Sequence, residues 1–156
     1  MFGWLYRPKK HNTRDLWRKG DKLIRKGNMD KAEEFLLAAA ESPSPLDRHY
    51  AYVKLIRLYS QFGRESTADV ERLIEICKKD IDLFPEFYEA WMVEYMNNVP
   101  TPYFPSFSVL ADIYEQRGML TEAVSVCELA LGYGLTETTG EDFPSRLERL
   151  LAERDS

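Results

Sequence analysis

Apolar side chains recur every three or four residues along almost the whole chain from residue 13 onward. This spacing is typical of one face of an α-helix, and no segment has the strict alternation of apolar and polar positions that indicates a half-buried strand. Prolines and glycines divide the pattern, because proline cannot donate a hydrogen bond within a helix and glycine commonly ends one. The sequence therefore predicts an all-α protein with helices at about residues 13–26, 29–41, 46–62, 66–84, 86–97, 106–117, 120–131 and 142–154.

The middle of the chain contains the clearest predicted boundaries. Ser66 and Asp69 form a Ser-x-x-Asp pattern, which is typical of the first turn of a helix. Pro85 is predicted to end that helix, so residues 86–97 are predicted to form a short separate one. Three further prolines between residues 100 and 105 predict a rigid loop before the next helix.

Three glycines that follow predicted helices, Gly27, Gly63 and Gly118, mark an internal repeat. A large apolar residue lies eleven positions before each glycine, and a leucine or tyrosine lies four positions before it. Small residues lie at matching positions around the first and third glycines, where they would let two antiparallel helices pack closely. The matching positions are Leu16, Gly20, Leu23, Ala32, Leu36 and Ala39 in the first unit, and Phe107, Ala111, Tyr114, Ala123, Cys127 and Ala130 in the third.

This arrangement resembles the tetratricopeptide repeat, and residues 77–87, 105–131 and 146–150 are also similar to a helical-repeat segment of uncharacterised bacterial proteins. The resemblance implies antiparallel helical hairpins stacked as a short right-handed solenoid, in a single domain over 13–156 after an N-terminal segment, 1–12. The middle unit departs from the pattern, since Ile56, Leu73 and Asp80 replace small residues. The implied parts are repeat units at about 13–44, 45–85 and 105–134, an extra helix at 86–97 and a capping helix at 142–154.

The family's first helices line a concave groove in which partner peptides commonly bind, so the resemblance also implies a candidate binding surface. Trp17 and Asp21 stand where a chaperone-type carboxylate clamp would need lysine and asparagine, so that clamp is not expected. The candidate groove residues are Trp17, Asp21 and Arg25 in the first unit, Tyr50, Val53, Arg57 and Gln61 in the second, and Ser108 and Asp112 in the third.

Composition excludes several other classes of protein. The chain has 156 residues, of which 44% are hydrophobic and 30% charged, as in an ordinary globular domain. Collagen-like and disordered chains have different compositions. Two cysteines are too few for a disulfide scaffold, and they fit a reducing compartment, so a cytoplasmic location is predicted.

The net charge of −5 conceals an asymmetry along the chain. Residues 1–31 carry ten basic and three acidic side chains, whereas residues 80–156 carry four basic and fifteen acidic ones. Charges of opposite sign at the two ends would permit head-to-tail contact between copies, and thus a homo-oligomer, unless the last helix blocks one end.

The segment 1–12 combines apolar residues with a basic cluster in an order unlike that of a secretory signal. Three interpretations stay open. The segment could contact an anionic membrane, with Trp4 and Tyr6 among the residues that insert. It could bind nucleic acid, where each cation adds salt-dependent affinity. It could also simply cover the end of the first helix while its cations remain in water.

The sequence contains no evident catalytic or metal-binding pattern. His49 has no obvious nucleophile or carboxylate partner in sequence, no Ser/His/Asp arrangement suggests itself, and it is predicted to be solvated or hydrogen-bonded. Cys77 and Cys127 occupy equivalent helix positions and are predicted to be buried. The expected function is therefore non-catalytic binding of a protein or peptide, without cofactor or metal. The alternatives are a peripheral adaptor at a membrane or nucleic acid, and an accessory subunit of an enzyme complex.

Overall fold

The computed structural model describes residues 13–61, 64–96, 98, 100, 103–136 and 140–156. All regular structure in these residues is helical, which confirms the predicted all-α class. The segment 1–12 and Gly63 lie outside the described residues. The helices are α1 (Thr13–Arg25), α2 (Met29–Ala39), α3 (Pro45–Tyr59), α4 (Thr67–Tyr95), α5 (Pro105–Gln116), α6 (Leu120–Gly132) and α7 (Phe143–Arg154).

Each helix packs on the next one along the chain, from α1 to α7. In addition, α1 contacts α3, and α3 contacts α5. The odd-numbered helices α1, α3 and α5 are therefore neighbours, and each is also packed against the even-numbered helix that follows it. One core of buried apolar side chains runs through this arrangement, from Ile24 in α1 to Leu150 in α7.

The small residues of the repeat lie where helices meet. A β-carbon built at Gly20 of α1 would lie 2.6 Å from Leu36 of α2, closer than real side chains approach. Ala32 and Ala39 of α2 are fully buried, and so is Ala111 of α5. The prediction that these positions are small because helices approach closely there is confirmed.

Two of the glycines taken as origins of the repeat have the backbone conformation that ends a helix. Gly27 has φ +81° and Gly118 has φ +71°, both in the left-handed region that glycine adopts without steric cost. After Gly27, the amide of Asn28 donates to the carbonyl of Leu23, and the amide of Met119 donates to Tyr114 in the same way. These bonds close the C-terminal turn of α1 and of α5 alike.

The prediction that a helix ends at Pro85 is wrong, because α4 continues through this proline to Tyr95. Residues 86–97 are therefore not a separate helix. A proline inside a helix costs about 3 kcal/mol. Beyond it, however, Phe87 is fully buried and Trp91 is 6% exposed. Each large apolar side chain buried contributes about 1.5–3 kcal/mol, so the two together offset the proline.

The starts of α4 and α7 agree with the capping signals in the sequence. The Ser66 hydroxyl accepts a hydrogen bond from the amide of Asp69 at 3.2 Å, which confirms the predicted capping pattern. Asp142 caps α7 by accepting from the amide of Ser145 at 2.8 Å. Among the described helices none combines the length and the apolar character needed to cross a membrane.

Candidate functional site

The N-terminal halves of α1 and α3 meet through the aromatic side chains of Trp17 and Tyr50. The Trp17 indole nitrogen donates to the Asp47 carboxylate at 3.3 Å, and the ring centroids of Trp17 and Tyr50 lie 5.1 Å apart. The Arg18 guanidinium lies over the Trp17 ring at 5.5 Å. Two of the predicted groove residues, from separate repeat units, are thus in direct contact.

One turn further along α1, the Asp21 carboxylate forms ion pairs with three cationic side chains. Asp21 of α1 lies 2.8 Å from the guanidinium of Arg25, 3.2 Å from the ammonium of Lys54 and 3.7 Å from the guanidinium of Arg57. The Asp21 side chain is only 11% exposed, whereas those of Arg25 and Arg57 are 67% and 55% exposed. Three positive charges against one negative charge leave a local excess of positive charge that faces solvent.

The remaining residues of the second unit are divided between helix and loop. Val53 is half-buried on α3 beside Lys54. Gln61 lies beyond the end of α3 at Tyr59, so the prediction that α3 reaches residue 62 is wrong. Gln61 instead lines a cleft of about 520 Å³ between this end of α3 and the end of α5, together with Arg64 and Ile113.

The predicted groove residues of the third unit are engaged by α7. Arg146 of α7 donates to the backbone carbonyl of Ser108 at 3.4 Å and lies 2.6 Å from the Asp112 carboxylate. One turn on, Arg149 donates two hydrogen bonds of 2.9 Å to Glu115. Ser108 and Asp112 therefore lie against the C-terminal helix, apart from the Trp17 and Asp21 cluster of the first two units.

The Arg149 contact shifts the titration of Glu115. The hydrogen bonds from Arg149 hold the pKa of the Glu115 carboxyl below its usual range, and partial burial opposes this effect. Arg149 also donates to Glu141, which precedes α7, with a shortest distance of 2.9 Å. The C-terminal helix is thus tied to α5 by charge-assisted hydrogen bonds, which are stronger than neutral ones.

A buried polar cluster joins α3, α4 and α5. The Nδ1 atom of His49 lies 2.8 Å from the Asp80 carboxylate, and both side chains are almost completely buried. Burial raises the pKa of Asp80, while His49 and the buried Ser106 hydroxyl oppose that rise. The His49 ring stacks on Phe104 with centroids 3.9 Å apart.

This cluster corrects one part of the sequence analysis and decides another. His49 does meet a carboxylate, that of Asp80, and the Ser106 hydroxyl acts on the same carboxylate, which no spacing in the sequence indicated. Of the two predicted states of His49, solvated or hydrogen-bonded, the structure shows the second, since the side chain is buried and bonded to Asp80. The one signal for Asp80 was its place at a repeat position where alanine is expected, because a carboxylate there must find a buried partner.

Both cysteines are buried, as predicted. Burial raises the pKa of the Cys77 thiol, and the charge of Asp80 adds to this effect. In the part of the chain that the structure describes, no three His, Cys, Asp or Glu side chains are grouped so that they could hold a metal ion.

Two residues of the surface were missed by the sequence analysis. Lys54 completes the cluster around Asp21, and Arg146 covers the third unit. Lys54 lies four positions after Tyr50, so helical spacing was a signal that could have identified it.

No family model matches the chain, and neither does any curated protein or solved structure.

Proposed function

We propose that this protein is a non-catalytic binding module in which the hairpins α1–α2, α3–α4 and α5–α6 stack as a short right-handed solenoid of tetratricopeptide type. The contacts between α1 and α3 and between α3 and α5 support this arrangement, because first helices of successive repeats are neighbours in such a stack. The left-handed glycines after α1 and α5 support it as well. The partner is a peptide or protein segment bound along α1 and α3.

The observation that carries the proposal is the cluster around Asp21. Arg25 and Arg57 extend into solvent from one buried carboxylate that also binds Lys54. Two positive charges remain available to a partner, and arginine binds carboxylates through paired hydrogen bonds. The adjacent Trp17 and Tyr50 rings add apolar contact area. A segment with acidic and apolar side chains fits this combination best.

The same contacts limit the proposed groove to the first two units. Ser108 and Asp112 of the third unit are engaged by Arg146. Asp112 also carries the wrong charge for an acidic partner. We therefore place the bound segment across α1 and α3, with its carboxylates at Arg25 and Arg57 and its apolar side chains near Trp17.

The test is a selection of peptides from a displayed random library on the immobilised full chain. Peptides enriched on the wild type are then titrated against the double variant Arg25→Ala/Arg57→Ala. We expect acidic peptides to be enriched and to bind the variant at least about tenfold more weakly, since a hydrogen bond to a charged group contributes about 1.5–3 kcal/mol.

A matched control removes two exposed arginines elsewhere. Arg72 and Arg117 are paired with Asp69 and Glu71, and the variant Arg72→Ala/Arg117→Ala changes the net charge by the same amount. Its affinity for the selected peptides should equal that of the wild type. Equal affinity in all three proteins, or enrichment without acidic residues, would show that this groove is not the binding site.

A further inference from the structure

A second charged surface lies on the outer side of the first hairpin, and its cations are not used in folding. Lys19 and Lys22 of α1 and Lys26, which directly follows α1, come at helical spacing, and Lys31 of α2 lies beside them. We define these four residues as the lysine face. All four side chains are exposed, and within the described residues none of them forms an ion pair.

The lysine face is distinct from the groove of the proposed function. Trp17, Asp21 and Ile24 are spaced so that they share the side of α1 that meets α3. The lysines of α1 occupy other positions of the helical turn, on the side away from that contact. A partner on one surface therefore leaves the other one free.

Apolar side chains lie between these cations. Leu23 and Phe35 are half-buried, and they line a shallow cleft of about 310 Å³ together with the four lysines. Lysine has a long aliphatic stem that can lie along apolar groups while its ammonium reaches a charged layer. Apolar side chains surrounded by ammonium groups are complementary to a surface that has an anionic outer layer and an apolar layer below it.

The chain that leads into α1 has the same chemical character. Phe2, Trp4, Leu5 and Tyr6 are followed by Arg7, Lys9 and Lys10, and no acidic residue occurs before Asp15. Aromatic residues are favoured at the boundary between headgroups and acyl chains. The sequence before α1 therefore carries further apolar and basic residues of the same kind.

We propose that the lysine face docks the protein on an anionic lipid bilayer. Binding is electrostatic at the four lysines, is supported by Leu23 and Phe35, and weakens as salt screens the charges. Nucleic acid is the less suitable partner, because apolar side chains between the lysines contribute nothing to contacts with phosphates.

The experiment is co-sedimentation of the full chain with vesicles of phosphatidylcholine, with and without phosphatidylserine. The test variant is Lys22→Gln/Lys26→Gln, in which both changes are at exposed positions, one in the last turn of α1 and one directly after it. Each lysine near an anionic surface contributes about a fivefold factor in affinity, so the double variant should bind about 25-fold more weakly. The wild type should bind only vesicles that contain phosphatidylserine.

The control variant Lys78→Gln/Lys79→Gln loses the same charge from exposed positions on α4, and its affinity should stay within about twofold of the wild type. Circular dichroism of all three proteins establishes that the fold is unchanged. Equal binding by both double variants would overturn the proposal, as would binding to neutral vesicles. Retention of duplex DNA or RNA without any retention of vesicles would overturn it in favour of nucleic acid.

Discussion

At the scale of single residues, the contact between α1 and α2 depends on the missing side chain of Gly20. Its hypothetical β-carbon would overlap the Leu36 side chain at 2.6 Å, and Leu36 is fully buried. A buried leucine surrounded by packed neighbours cannot move aside without disturbing them. The helix propensity lost by glycine in this position is therefore offset by close packing.

We predict that Gly20→Ala destabilises the protein by about 1–3 kcal/mol, the usual cost of overpacking a core. The gain in helix propensity, at most about 1 kcal/mol, is smaller than this cost. Urea unfolding followed by circular dichroism measures the difference.

Gly132→Ala is the matched control for this prediction. Gly132 is the last residue of α6, and a β-carbon there would meet nothing within 4 Å. This variant should be as stable as the wild type or more so. If both alanine variants were equally stable, close packing at Gly20 would not explain the glycine.

The residue scale also shows where sequence patterns were sufficient. The small residues Gly20 and Ala111 were found from their offsets to a glycine, because the cost of a larger side chain is local and recurs in the first and third units. The buried partner of Asp80 could not be predicted from such offsets. Its partner His49 lies 31 residues away, and only the packing of α3 on α4 brings the two together.

At the scale of elements, α4 is the helix whose extent differs most from the sequence pattern. Pro85 lies inside it, and proline leaves one carbonyl of the preceding turn without its helical partner. Phe84 precedes the proline and Phe87 follows it, and both side chains are buried in the same core, so the two parts of the helix are packed against it together. Tertiary packing rather than local propensity thus determines the length of α4.

We predict that Pro85→Ala stabilises the protein, by about 1 kcal/mol or more. The substitution restores an amide donor within a helix that is already continuous, and alanine is the best helix former. The measurement is the urea midpoint at constant protein concentration.

Pro105→Ala provides the comparison. Pro105 is at the start of α5, where proline is favoured because its amide would be unpaired. That variant should gain nothing. A loss of stability in Pro85→Ala would mean instead that the packing of α4 requires the backbone geometry that proline imposes.

At the scale of the whole molecule, α7 closes the C-terminal end through arginines. Arg146 and Arg149 contact Asp112 and Glu115 of α5, and both contacts cross more than thirty residues of sequence. In the solenoid proposed above, α7 is the terminal element that covers the last hairpin, as repeat arrays require. It also directs the acidic side chains of α5 into contacts within the chain.

This arrangement predicts a loss of stability in acid. The pKa of Glu115 is lowered in the folded state, first by its hydrogen bonds from Arg149. The ionised carboxylate therefore stabilises the folded state at any pH above the ordinary glutamate value, near 4.3. This contribution is lost as the pH falls through the lowered value of the folded protein.

The variant Glu115→Gln isolates this contribution. At neutral pH it should be less stable than the wild type by about 1 kcal/mol, a typical contribution for an ion pair near the surface. The difference should shrink towards zero in urea unfolding near pH 3. Glu128→Gln, at an exposed position of α6, should follow the wild type at every pH. A difference for Glu115→Gln that did not change with pH would exclude the carboxylate as its origin.

The sequence by itself determined the helical class, most helix boundaries and the small buried positions of the repeat. These properties depend on spacing, capping and side-chain size within one or two neighbouring helices, so short stretches of sequence are enough to determine them. The tertiary structure decided that α4 passes through Pro85, that His49 meets Asp80, and that α7 covers Ser108 and Asp112. It also decided that Asp21 collects Arg25, Lys54 and Arg57. Apart from the local Asp21–Arg25 pair, these outcomes depend on side chains far apart in sequence, where the free energy of burial or ion pairing outweighs the local preference.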